Sequence, residues 1–203
     1  MTPTSPALIL IVDLCWKKDS LSNEEYVRPI QRIAKEHAPV KMVHFLEVTP
    51  DDVNDCTAVI LCGTALADNT FADHLDAFDW LKEFKKPVLG ICAGMQVLGA
   101  MHNGHIMSVK EIGMTRITLF REDPLFVHSL ETLPVQAGLG HSLDVYSLHN
   151  HCLAASLPEF DVLARSNLCV QAIKHKTLPQ YGILFHPEVR NEHVVRNFLS
   201  GIK

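Results

Sequence analysis

The sequence predicts an α/β fold: an open, mostly parallel sheet flanked by helices, with additional short β-strands in the C-terminal half. Three observations carry the prediction. Leu8 to Val12 is a continuous apolar run bounded by Pro6 and Asp13, as in a strand buried on both faces. Strand and helix patterns then alternate up to residue 91, which favours parallel strands joined by crossover helices. Beyond residue 115 the pattern changes to short β-rich pieces.

In order, the first strand is followed by a helix over Asn23 to His37, a second strand over Val40 to Leu46, and a third over Ala58 to Cys62 that runs into Gly63. Phe71, Leu75, Phe78, Leu81 and Phe84 recur at helical spacing. Pro87 then opens the strand Val88 to Ile91. Further strands fall at Arg116 to Phe120, Leu143 to Ser147, Val162 to Arg165, Val170 to Lys174 and Tyr181 to Phe185, and a helix over Glu192 to Leu199 ends the pattern. With no repeat, low-complexity segment or linker, residues 1–203 read as a single domain. A ligand site is expected beyond the carboxyl ends of the parallel strands.

Composition narrows the function classes. The formal net charge is −5 with no basic run to neutralise a row of phosphates, which argues against nucleic acid as partner. The apolar run ending at Asp13 is too short to cross a bilayer and lacks a preceding basic residue, so neither a membrane span nor a secretory leader is expected. Six cysteines, at 15, 56, 62, 92, 152 and 169, form no CxxC pair or regular framework, which fits a reducing cytoplasm.

The chemistry concentrates in Gly90-Ile91-Cys92-Ala93-Gly94-Met95-Gln96. A buried strand meets a helix at Cys92, with glycines two positions before and two after. That is the pattern of a nucleophile elbow, a strained turn that presents its side chain at the top of a sheet. A cysteine at a helix start also meets unpaired amides and the positive end of the helix dipole, which favour thiolate. The amide of Ala93 is placed to donate to an oxyanion.

A cysteine nucleophile needs a base, and the base needs an orienting group. Phe185-His186-Pro187-Glu188 supplies both: His186 and Glu188 are two residues apart, so an extended backbone projects them to one side, and Pro187 stiffens the spacing. The pairs His149/His151 and His102/His105 bring no convincing further ligands, so no metal is expected.

GICAGMQ and FHPE together resemble the GxCxGxQ and FHPE motifs of class I glutamine amidotransferases, and the similarity runs from the first strand to the terminal helix. Within that family it is greatest to glutaminase subunits of archaeal GMP synthases, through Leu163-Ala164-Arg165-Ser166 and through residues 178–189. The resemblance implies a Cys92-His186-Glu188 triad, an oxyanion hole from Gly63, Thr64 and Ala93, and glutamine contacts from Gln96, His149 and Asn150. It implies no cofactor.

Three positions depart from the family pattern. Thr64 replaces a second glycine and, being β-branched, resists positive φ. Leu148 stands where a polar residue is usual, and Leu184 where a glutamine precedes Phe-His. The implied function is a glutaminase releasing ammonia for an ATP-dependent synthetase on a separate chain, placed in purine nucleotide biosynthesis, since the sequence has no GxxxxGK[ST] loop. Two other readings use the same residues: a free-standing γ-glutamyl hydrolase, and a catalytically silent regulatory or binding homologue.

Overall fold

A computed structural model of the chain describes residues 7–127 and 141–202. Nine strands form one sheet: β1 Ile9–Asp13, β2 Val40–His44, β3 Ala58–Leu61, β4 Val88–Ile91, β5 Ile106–Leu119, β6 Ser142–Leu153, β7 Phe160–Arg165, β8 Val170–His175 and β9 Gln180–Ile183, in the order β2-β1-β3-β4-β9-β8-β7-β5-β6. The pairs from β2 through β9 are parallel, and those from β9 outward are antiparallel. The expected parallel sheet is therefore present, and the C-terminal strands extend the same sheet instead of standing apart. Two of them are long: β5 and β6 form a paired ribbon of 14 and 12 residues.

Alternation along the parallel strands builds two apolar layers. Ile9, Ile11 and Ile60 face α1 (Arg28–Lys35) and α4 (His193–Ser200) through Ile30, Ile33, Val194 and Phe198. Leu10, Val12, Val59 and Leu61 face the opposite layer, with Phe71, Phe78 and Leu81 and with α3 (Ala93–Met101) through Val97, Leu98 and Met101. Each fully buried Leu, Ile or Phe contributes roughly 1.5–3 kcal/mol.

Local chemistry explains where helices differ from the sequence expectation. The segment 23–37 starts as a π-helical turn, Asn23–Val27, with the Arg28 amide donating to the Asn23 carbonyl, before α1 begins. Pro29 has no N–H and cannot form the bond back to residue 25, so the helix restarts at its own first turn, where proline is tolerated. Thr70–Lys82 is a series of 3-10 turns broken at His74 (φ −130°, ψ 40°), not a regular α-helix. A short helix α2, Pro50–Asp55, went unnoticed in the sequence; Thr49 and Asp52 form a reciprocal capping box with Pro50 at the first position.

The turn from β4 into α3 depends on close backbone approach. A Cβ on Gly94 would lie 2.3 Å from the Leu61 carbonyl oxygen of β3. Gly94→Ala is expected to destabilise the fold by about 3 kcal/mol, because backbone must yield on the Leu61 side. Urea unfolding midpoints of the two proteins check this; an unchanged midpoint refutes it.

Candidate active site

Cys92 sits between the last residue of β4 and the first of α3 with φ 50° and ψ −104°. Strain of this kind costs on the order of 1–3 kcal/mol and persists only where its surroundings enforce it. Here the Cys92 amide donates to the Ile183 carbonyl (2.8 Å) and its carbonyl accepts from the Gln96 amide (3.1 Å), pinning the residue from β9 and from α3. Its side chain is nearly buried, 5% exposed, and its thiol lies 3.7 Å from the Leu148 carbonyl oxygen. Ala93, as the first residue of α3, has no carbonyl one turn back for its amide.

His186 follows β9 and is fully buried. The segment after it is a turn, not the extended backbone expected: the Val189 amide donates to the His186 carbonyl (3.2 Å), and proline suits the second position of such a turn. The turn still aims Glu188 at the imidazole, with His186 Nδ1 and Glu188 Oε1 at 2.7 Å. Nδ1–H donates to the carboxylate, which leaves Nε2 to carry the proton that moves during the reaction. Nε2 has no hydrogen-bond partner of normal geometry, and the ring's strongest charged neighbours are Cys92 and Glu188.

Burial alone would push His186 down. The negative charges of Cys92 and Glu188 outweigh it and hold the imidazolium well above the usual histidine range.

Gly63 shows how tightly the groups converge. A Cβ there would lie 2.9 Å from His186 Cε1 and 3.4 Å from Cys92 Cβ, so any side chain at 63 would enter the space between base and nucleophile. Neither Gly63 nor Thr64 has positive φ. The anticipated backbone conflict at Thr64 is therefore absent, because the turn does not use the left-handed region. Instead the Thr64 hydroxyl donates to Asp68 Oδ2 (2.7 Å), which also accepts from the Trp16 amide, while Asp68 Oδ1 accepts from the Thr70 amide.

That loop closes over a cavity of about 20 Å³, lined by the segment 64–71, by Cys92, Ala93 and Gln96, and by residues 148–151 of β6. The volume is about that of a single water. Asn150 Nδ2 donates to the Leu66 carbonyl (3.0 Å) and Gln96 Nε2 to the His151 carbonyl (3.0 Å), so both amides are engaged by backbone across the cavity. His149 borders the cavity, but its ring nitrogens are directed at Val109 and Glu111.

Sequence reasoning missed three contributors. The Tyr146 carbonyl accepts from the His186 amide (2.8 Å), and the Leu148 carbonyl meets the thiol. Tyr26 presents its ring edge-on to His186 at 5.3 Å, and burial and nearby acidic groups push its phenol up to about 12, so it stays protonated. The two carbonyls belong to backbone, which carries no residue signature. Tyr26 gives no signal in a helix where it reads as one more amphipathic position.

A strained cysteine at a strand-to-helix elbow with a His–Glu pair at the end of the neighbouring parallel strand is the arrangement of hydrolases of the α/β class. The chain belongs to the class-I glutamine amidotransferase family, whose model matches residues 26–200. It is 37% identical over 129 residues to the glutamine-hydrolyzing GMP synthase subunit of Methanosarcina barkeri, covering 61% of this chain and 64% of that protein. It is 36% identical over 123 residues to the corresponding subunit of Pyrococcus abyssi, covering 57% and 60%. The alignments thus span less than two thirds of these relatives' lengths. In fold it is similar to a Thermoplasma acidophilum protein assigned as a GMP synthase subunit, with a TM-score of 0.78 at 23% identity over 97% of this chain and 94% of that one. A Thermotoga maritima glutamine amidotransferase gives 0.67 at 14% identity over 96% and 81%. Among the described residues no helix is long and apolar enough to cross a membrane.

Proposed function

We propose that the chain hydrolyses the side-chain amide of glutamine, with Cys92 as nucleophile, His186 as acid and base, and Glu188 as its orienting group. The observation that carries the reading is the strained Cys92 elbow beside the buried 2.7 Å His186–Glu188 pair. Cys92 thiolate attacks the amide carbonyl, and the amides of Ala93 and the Gly63–Thr64 turn stabilise the tetrahedral oxyanion. Imidazolium His186 gives its proton to the departing ammonia. It then takes one from the water that cleaves the glutamyl thioester, which releases glutamate. None of these steps uses a metal or an organic cofactor.

The ammonia passes to an ATP-dependent synthetase on a separate chain, within purine nucleotide biosynthesis and in the cytoplasm. The similarity to glutamine-hydrolyzing GMP synthase subunits supports this placement. The chain acts as one amidotransferase domain, with Gln96 and Asn150 turning from β6 and the loop to glutamine when the cavity opens.

The Asn150 and Gln96 amides span the site between the loop and β6 where glutamine would lie, so the isolated chain is expected to be a poor glutaminase that a synthetase partner activates. Within the loop the Thr64–Asp68 bond fixes the shape that the Asn150 amide fastens to β6. Thr64→Gly, which removes the hydroxyl's bond to Asp68 and frees the loop, is expected to raise the basal rate about tenfold. Ammonia release is measured for both proteins, alone and with a GMP-forming synthetase. A wild-type rate near ten per second without any partner would refute the fastening and favour a free-standing hydrolase. No turnover under any condition, with Cys92 unreactive toward electrophilic glutamine analogues, would leave the silent homologue.

A further inference from the structure

Glu111, His149 and Cys169 bring a carboxylate oxygen, an imidazole nitrogen and a thiol within 4.8 Å of one another, although they come from β5, β6 and the turn before β8. Glu111 stands opposite His149 in the β5–β6 register, just past a bulge at residues 108–111. His149 and Cys169 are 2% and 3% exposed.

His149 Nδ1 lies 3.3 Å from the Val109 carbonyl, which can only accept, and in the tautomer that donates there the ring's proton is on Nδ1. Nε2 then carries a bare lone pair. It is buried, has no hydrogen-bond partner, and faces Glu111 Oε2 at 3.4 Å. The carboxylate oxygen is itself an acceptor, taking bonds from Gln171 Nε2 (2.6 Å) and Ser166 Oγ (3.2 Å). Two buried acceptors face each other beside a thiol, an arrangement that calls for a cation between them.

We propose that Glu111 Oε2, His149 Nε2 and Cys169 Sγ bind one zinc ion, with a water molecule completing the tetrahedron. Tetrahedral zinc with bonds of about 2.0–2.3 Å holds its donors roughly 3.5 Å apart, which the 3.4 Å nitrogen–oxygen separation already meets. On binding, Cys169 releases its proton to solvent and coordinates as thiolate. Val109 gives the ligating imidazole the backbone acceptor that usually fixes such a ring. Glu111, with 11% of its side chain exposed, is the entry side.

A second cluster, His102, Glu159 and His175, does not pass the same test. His175 Nδ1 accepts from the Thr177 and Leu178 amides, which places the proton on Nε2, the nitrogen facing Glu159. That nitrogen has no lone pair for a metal.

The site is structural rather than chemical. It ties β5, β6 and the β8 turn together directly behind the β6 backbone that presents the Leu148 carbonyl to Cys92.

The test uses the full chain in a Cys92→Ser background, stripped with chelator and kept reduced, so that the elbow thiol cannot bind metal. Cobalt(II) titration is expected to saturate at one equivalent with a thiolate-to-cobalt charge-transfer band and the intense visible bands of tetrahedral cobalt. Zinc should displace both. Cys169→Ala should abolish the charge-transfer band, while His149→Gln and Glu111→Gln should weaken cobalt binding at least about tenfold. Circular dichroism of each metal-free variant verifies folding, and zinc should raise the melting temperature of the parent but not of His149→Gln. Failure of the folded parent to bind cobalt, an unchanged band in Cys169→Ala, or equal zinc stabilisation in His149→Gln overturns the site.

Discussion

Replacing Cys92 with alanine or serine is expected to lower glutamine hydrolysis by at least about 10⁴-fold, the scale at which removing a triad nucleophile acts elsewhere. The change in stability should be modest, because the thiol's hydrogen-bond contact to the Leu148 carbonyl is weak and truncation otherwise removes only the Cys92 charge beside His186. Cys92→Gly separates function from strain further. At φ 50° and ψ −104° a glycine is unstrained, so this variant should be inactive and yet more stable by about 1 kcal/mol. Ammonia release and urea midpoints measured together check both halves. An electrophilic glutamine analogue should label Cys92 alone among the six free cysteines, even though all six are buried. Labelling of Cys62 or Cys169 with Cys92 untouched would count against the nucleophile. A Cys92→Gly protein that unfolds more easily than the parent would count against the strain at this residue.

The parts of this site legible in the sequence were those written in consecutive residues. Gly90, Cys92 and Gly94 announce an elbow because each answers a local steric demand, and His186 and Glu188 are close enough along the chain that one turn brings them together. The parallel strands were legible because burial on both faces leaves a continuous apolar run.

What stayed hidden depends on the curl of the sheet. In strand order β6 lies five places from β4, yet its Tyr146 and Leu148 carbonyls close on His186 and Cys92. No local pattern predicts which edge a sheet will fold over. The β5–β6 ribbon was underestimated for a related reason. Beyond the core it leaves Met107, Ile112 and Met114 exposed, so its outer half lacks the alternation that marks a half-buried strand. The same long-range pairing gathers Glu111, His149 and Cys169, which stand far apart along the chain.

Glu188→Gln should cost activity nearly as much as losing the nucleophile, by about 10³- to 10⁴-fold in kcat, with the fold intact. The amide is nearly isosteric and can still accept from His186 Nδ1, so packing is preserved; what disappears is a negative charge 2.7 Å from a fully buried ring. That charge is one of two that hold the His186 imidazolium above its usual range against burial, the other being Cys92. With a raised folded pKa, the pair's contribution to stability is fully present below about 6.5, the unfolded value. It is lost as pH rises through the folded one. Removing the carboxylate lowers the folded pKa, so the alkaline limb of kcat/KM should shift to lower pH in Glu188→Gln, and the variant's stability should depend less on pH above neutrality. A Glu188→Asp variant restores the charge and should recover the position of the limb, though not the full rate, because its shorter side chain lengthens the bond to Nδ1. If Glu188→Gln loses activity while the limb stays where it was, Glu188 serves packing alone, and the proton-holding role assigned to it is wrong.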